Sequence, residues 1–174
     1  MKRFVNIQAF ILLLLAAFVV LCTISCIKEK DNGEFELKVG DSIPDFTVQM
    51  SDGSTVTGTS LKTGVALIMF FNTGCPDCQQ VLPEIQNLYN EYSSEISFAL
   101  ISREQDDSVV APYWEEKGYT LPYSAQSDRK VYNKFATSRV PRVYICKDGV
   151  IKTIFTDDPV PQYSDLKGAV TKLF

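Results

Sequence analysis

The sequence contains no histidine. Imidazole metal sites, Ser-His and Cys-His catalysis and histidine general bases are therefore excluded. Chemistry has to run on cysteine, carboxylate, tyrosine, lysine or backbone groups. Clustered basic residues are also missing, and the net charge is −4. That leaves no electrostatic footprint for nucleic acid, and an acidic balance of this size bears mainly on solubility. Cysteine is scarce, with 5 in 174 residues: Cys22, Cys26, Cys75, Cys78 and Cys146. They are too few and too unevenly spaced for a disulfide-stapled scaffold. Internal repeats and low-complexity segments are absent. A hydrophobic content of 45% suits one domain with a substantial core.

Met1, Lys2 and Arg3 make a short positive start, and residues 9–22 are an uninterrupted apolar run. Thr23, Ile24, Ser25 and Cys26 follow. A charged start, an apolar stretch and small residues before a boundary predict a secretory signal over residues 1–25. Cys26 with Ser25 before it resembles the lipobox of bacterial lipoproteins, which implies lipidation at Cys26. Thr23 stands where that motif usually has leucine. Cys22 is a poorer candidate because Leu21 precedes it. The alternative is an uncleaved signal anchor, since the apolar stretch reaches about Ile27, the lower edge of a span of roughly 20 residues. Either way the domain is held at a membrane outside the cytoplasm, in the cell envelope, facing the periplasm or the exterior. Residues 26–37 are polar and charge-rich and read as a flexible tether. The folded domain is expected over residues 38–174.

Val65–Phe71 is continuously apolar. Both its faces need cover, as in a central strand with helices on each side. Residues 96–102 read the same way through Phe98, Ala99, Leu100 and Ile101. Between these runs Val81, Leu82, Ile85, Leu88 and Tyr89 recur at helical spacing. This strand–helix–strand unit predicts a right-handed parallel crossover. Asp106 or Asp107 can cap a next helix, with Val109, Val110, Tyr113 and Trp114 on one face. Residues 121–124 form a short strand candidate, and a further helix is expected over 130–136. Two β-rich runs, 142–146 and 150–155, flank Lys147-Asp148-Gly149, where the Asp-Gly step is a strong hairpin signal. Ser164 can cap a final helix through Leu166, Val170 and Leu173. The fold class is α/β, with a mixed sheet flanked by helices.

Cys75-Pro76-Asp77-Cys78 falls directly after a strand and opens a helix. Two cysteines at this spacing can close a small disulfide ring. The first one sits among unpaired backbone N–H groups at the positive end of the helix dipole. Those groups stabilise a thiolate, the attacking species. Gly74 permits a sharp strand-to-helix turn, and Pro76 suits a first helical turn, where a missing N–H is harmless. Asp77 suits the dipole, but its charge beside the sulfurs disfavours a thiolate. Cys75, nearer to solvent, is assigned the attack, and Cys78, one turn inward, resolves the mixed disulfide. A zinc site would need four ligands, and only Cys146 remains in a chain without histidine. No metal is therefore expected. A purely structural disulfide stays open, because export favours oxidation.

These residues resemble the thioredoxin superfamily, and within it the exported TlpA/ResA-like thiol–disulfide oxidoreductases. Gly40-Asp41-Ser42-Ile43-Pro44-Asp45-Phe46 is similar to the family's N-terminal motif, which peroxiredoxins share. The cysteine pair matches the redox motif, and Pro83 matches the proline that kinks its helix. Val140-Pro141 falls where the family carries a cis-proline, with the Lys147-Asp148-Gly149 hairpin after it. The stretch between Ser102 and Pro141 fits the extra strand–helix insertion of this branch. The resemblance implies a thioredoxin-like fold with an N-terminal extension and that central insertion. It implies that the backbone of Val140 pairs with an extended substrate segment beside Pro141. It also implies no cofactor beyond the Cys75–Cys78 disulfide. The implied partners are exported protein thiols and disulfides, and an upstream membrane or periplasmic electron donor.

Several positions depart from the family pattern. Gly74 replaces the usual tryptophan before the first cysteine, and Arg142 follows Pro141 where threonine is common. The sole tryptophan, Trp114, lies in the insertion, where core packing is expected. Met69 and Val81 occupy the places of the buried aspartate of cytosolic thioredoxins and the buried glutamate of reductive cytochrome-maturation members. Glu84 is near enough to consider as a proton acceptor, although a solvated helix-face carboxylate is the preferred reading. Cys146 is assigned to core packing. Three alternatives remain: a binding or sensor module with a structural disulfide, a peroxiredoxin-type peroxidase, and a copper chaperone. Against the second, Ile68 and Asn72 stand where the peroxidase pattern has Pro and Thr. The missing histidine argues against the third.

Overall fold

The computed structural model describes residues 35–174. The expected signal, the lipidation site at Cys26 and most of the tether lie outside the described residues. The elements in chain order are β1 (Thr47–Gln49), β2 (Thr55–Thr57), β3 (Val65–Phe71), α1 (Pro76–Tyr92), β4 (Ser97–Ser102), α2 (Asp107–Lys117) and β5 (Tyr123–Ser124). A 3-10 turn (Tyr132–Lys134), β6 (Arg142–Lys147), β7 (Val150–Phe155) and α3 (Tyr163–Thr171) complete the chain.

The five-stranded sheet has the order β5-β4-β3-β6-β7. β3 is central and every one of its residues is buried, as its unbroken apolar run requires. It pairs in parallel with β4 and antiparallel with β6. β4 pairs in parallel with β5, and β6 antiparallel with β7, so the sheet is mixed. The hairpin turn has φ 50 at Asp148 and φ 78 at Gly149. Positive φ at both central residues is what a type I′ turn demands, and Asp-Gly supplies it.

Successive residues of a strand face opposite sides of the sheet, and Phe70 and Phe71 show both sides filled. Phe71 meets Trp114 of α2 at 5.0 Å between ring centroids. Phe70 meets Tyr132 at 5.4 Å and Phe135 at 4.8 Å. Trp114 Nε1 donates to the Leu121 carbonyl at 2.9 Å, so the sole tryptophan is a packing residue. The segment over Gly40 and Ile43 runs along the outer edge of the sheet. Gly40 N–H donates to Ile151 O at 2.9 Å, and Ile43 N–H to Gly149 O at 2.8 Å.

Several local expectations are corrected. The helix over 130–136 is reduced to the 3-10 turn at Tyr132–Lys134. Val131, Tyr132 and Asn133 are all weak helix formers, and tertiary packing of Tyr132 and Phe135 decides the conformation. Ser164 is not the cap of α3: Asp165 accepts the Gln162 N–H at 3.0 Å, and the helix opens at Tyr163. Asp106 takes the N-cap position of α2, but its side chain makes no capping bond. Residues 35–37, read as the end of the tether, lie along the domain. Leu37 N–H donates to Phe135 O at 2.8 Å, and Glu36 bridges Ala136.

Candidate active site

Residues 72–75 turn the chain from β3 into α1. Asn72 organises the turn. Its Oδ1 accepts the Gly74 N–H at 2.8 Å, and its carbonyl accepts the Cys75 N–H at 3.1 Å. Its own N–H faces the Cys78 sulfur. Gly74 is not among the positive-φ glycines. A conformational need is therefore not the reason for glycine at this position. A Cβ there would lie 3.3 Å from Asn72 Oδ1, so close approach favours the missing side chain.

Cys75 is the N-cap of α1, with extended backbone at φ −85 and ψ 120. Its carbonyl accepts the Gln79 N–H at 3.0 Å, the first turn of the helix. Pro76 follows at the first helical position and Asp77 lies in the first turn. Cys75 is half-buried, whereas Cys78 is fully buried and both are free thiols. Burial pushes the Cys78 thiol well above the usual range, and the charges of Cys75 and Asp77 push it further. α1 runs unbroken through Pro83. Having no N–H, Pro83 leaves the Gln79 carbonyl without its helical donor.

Across the site, Cys75 Sγ lies 3.5 Å from Val140 O. The Val140–Pro141 bond is cis. Val140 is 7% exposed and Pro141 is buried. The Tyr132 hydroxyl donates to Arg139 O at 2.6 Å and braces the loop ahead of them. Arg142, beside Pro141, is 4% exposed. Its guanidinium pairs with Glu36 and bonds Ser138 Oγ at 3.1 Å.

Cys75, Cys78, Val140, Pro141, Gly74, Pro76 and Asp77 thus come together, while Pro83 acts further along α1. Cys146 is fully buried on β6, and burial alone pushes its thiol up to about 12. Glu84 is half-buried on α1. Met69 and Val81 are fully buried and offer no carboxylate behind the pair. Two further residues shape the site, Asn72 through the turn it caps and Gln105 through Thr73. An Asn-x-Gly turn signal was present for Asn72. Nothing in the local sequence marks Gln105, which reaches Thr73 from the far end of β4.

A central sheet with a cysteine pair opening the helix after its middle strand, faced by a cis-proline loop, defines a thioredoxin-like protein. Comparisons narrow this class. The redoxin family model matches residues 38–173. The thiol-disulfide oxidoreductase ResA of Oceanobacillus iheyensis is 31% identical, over 88% of this chain and 81% of its own length. ResA of Bacillus subtilis is 20% identical, over 77% and 78%. Among solved structures, a thiol:disulfide interchange protein of the thioredoxin family from Chlorobium tepidum has a TM-score of 0.66 at 18% identity. That match covers 80% of this chain and 99% of the other. A thio-disulfide isomerase from Thermus thermophilus has a TM-score of 0.63 at 24% identity, covering 79% and 97%. The chain belongs to the redoxin family, as a TlpA/ResA-like thiol–disulfide oxidoreductase of the thioredoxin superfamily.

Proposed function

We propose that the chain is a membrane-tethered enzyme that exchanges or reduces disulfides of exported proteins through Cys75 and Cys78. One arrangement carries this reading. A half-buried cysteine at a helix N-cap has a fully buried partner behind it and a cis-proline loop in front, at 3.5 Å. The Cys75 thiolate attacks a substrate disulfide and releases one substrate thiolate. Cys78 then loses its proton and attacks Cys75 Sγ, which releases the second. The pair ends as a disulfide, and two electrons have passed to the substrate. An upstream membrane or periplasmic donor returns it to the dithiol. Val140 and Pro141 form the wall against which an extended substrate segment rests.

Support for the tether comes from the charged start, the apolar run and Cys26. The test uses the full-length chain. Wild type reduces a disulfide-linked protein, and Cys75→Ser does not. Retained full activity in Cys75→Ser would sink the reading. Fatty-acid labelling that is lost in Cys26→Ala checks the anchor, and labelling unchanged in that variant removes it.

A further inference from the structure

Thr73 lies between β3 and Cys75 and is 8% exposed. Its backbone and side-chain polar groups are all engaged by two glutamine side chains. Its N–H donates to Gln105 Oε1 at 2.7 Å, and its Oγ1 accepts from Gln105 Nε2 at 2.9 Å. Its carbonyl accepts from Gln79 Nε2 at 2.8 Å. A backbone N–H can only donate, so the Gln105 oxygen must face it and the amide orientation is determined. Gln105 is itself fastened to the sheet. Its carbonyl accepts from Ser102 Oγ at 2.8 Å and from the Gln126 N–H at 3.0 Å. The clamp thus runs from the end of β4 to the turn that carries Cys75. That turn has Gly74 beside the cysteine and no bulky side chain there to anchor it.

We propose that Gln105 is a positioning residue for the resolving step, holding the Cys75 turn so that Cys78 can reach the Cys75 sulfur. The proposal rests on exchange through Cys75 and Cys78. When the Cys75 thiolate attacks a disulfide R–S–S–R, the bond Cys75–S–S–R forms and one R–S⁻ leaves. Cys78 gives its proton to water and its thiolate attacks Cys75 Sγ. The Cys75–Cys78 disulfide forms, the bond to R breaks, and the second R–S⁻ leaves. In the mixed disulfide the attached group pulls on Cys75, and only the anchored turn keeps its sulfur within reach. Gln105 touches neither sulfur and acts through Thr73.

The test is two-phase thiolate release from an aromatic disulfide such as Ellman's reagent. It uses the full-length chain in detergent with Cys22→Ser and Cys26→Ser. The first phase reports attack by Cys75 and the second reports resolution by Cys78. Gln105→Ala slows the second phase about tenfold, the loss of two ordinary hydrogen bonds, and alters the first less than about twofold. Gln105→Glu keeps an oxygen opposite the Thr73 N–H and returns the second phase to within about threefold of the unsubstituted chain. Thr73→Val removes the side-chain bond alone and slows it about threefold, which keeps the test open should Gln105→Ala fail to fold. Unchanged second phases in Gln105→Ala and Thr73→Val overturn the proposal, as does a Gln105→Glu variant as slow as Gln105→Ala. A chain with no first phase at all overturns instead the exchange reading on which it rests.

Discussion

The sulfur of Cys75 lies 3.5 Å from the carbonyl oxygen of Val140, a residue 65 positions further along the chain. The sheet creates this meeting. β3 delivers Cys75 at its end, and β6, antiparallel to β3, begins at Arg142 beside Phe70. The last residues of one strand and the first of the other are therefore neighbours, and the loop before β6 has to pass the cysteine turn. Any segment bound along Val140 and Pro141 is brought to Cys75 by the same geometry.

Cys78→Ser should trap the mixed disulfide. The substituted chain keeps its attacking sulfur and loses the resolving one, so a covalent adduct of the substrate accumulates on Cys75. Mass spectrometry under non-reducing conditions detects it. A Cys78→Ser chain that turns over substrate as fast as wild type would refute the assignment of roles.

Resolution should speed up as pH rises. Burial holds the Cys78 thiol well above its ordinary value, with the Asp77 charge adding to the shift. At neutral pH only a small fraction is thiolate, and that fraction grows about tenfold per pH unit. Asp77→Asn removes a like charge and should move the resolving phase to lower pH. The second phase of thiolate release, measured against pH, checks the direction. A profile unmoved by Asp77→Asn would rule out this electrostatic coupling.

Gly58→Ala should destabilise the domain. A Cβ there would stand 2.2 Å from the Pro44 carbonyl oxygen, a backbone atom that cannot swing aside. The cost is about 3 kcal/mol, in the range of overpacked sites. Gly168→Ala is the matched control, because a Cβ there meets nothing within 4 Å in α3. It should stabilise by about 0.5–1 kcal/mol through helix propensity. Urea unfolding of the two variants should move in opposite directions.

Much of this site was legible in the sequence, because its signals are local. An unbroken apolar run names β3, Cys-Pro-Asp-Cys names the helix start, and Asp148-Gly149 names the hairpin. The helix start at Gln162 was misplaced for a local reason, since Asp165 and not Ser164 makes the capping bond, but the 130–136 segment depends on distant contacts. The 130–136 segment carries apolar residues at helical spacing, yet Tyr132 and Phe135 are drawn down onto Phe70, and the backbone tightens to a 3-10 turn. Gln105 and Glu36 were invisible for a related reason. Each acts on a residue far away in sequence, Thr73 in one case and Arg142 in the other, and a polar side chain on a loop advertises no partner.

Glu36→Gln should weaken the domain through Arg142. The guanidinium is almost wholly buried, and Glu36 is its ion-pair partner. Removing one side of such a pair leaves the other charge uncompensated. The side chain of Glu36 is 36% exposed, so water relieves part of the loss, and about 1–2 kcal/mol is expected by urea unfolding. Adding Arg142→Met to Glu36→Gln removes the stranded charge and should recover part of that loss. A double variant less stable than the sum of its single changes would contradict this account.

Cys146 should make the domain sensitive to alkali. Burial on β6 pushes its thiol from 9.0 up to about 12. Below 9.0 the thiol is protonated in folded and unfolded chains alike, so its contribution to stability is constant there. Above that value the unfolded chain releases its proton and the folded one does not. The unfolded state is favoured increasingly, and the loss continues until the folded thiol ionises near 12. Stability should therefore fall as pH rises from 9 toward 12. Tyr119 and Tyr123, also raised to about 12 by burial, add to the upper part of the fall. Cys146→Val keeps an apolar side chain of similar size without an ionisable group. Its thermal midpoint should decline less steeply over this interval than that of the unsubstituted chain. Equal slopes in the two proteins would mean that Cys146 ionises as readily folded as unfolded, contrary to its burial.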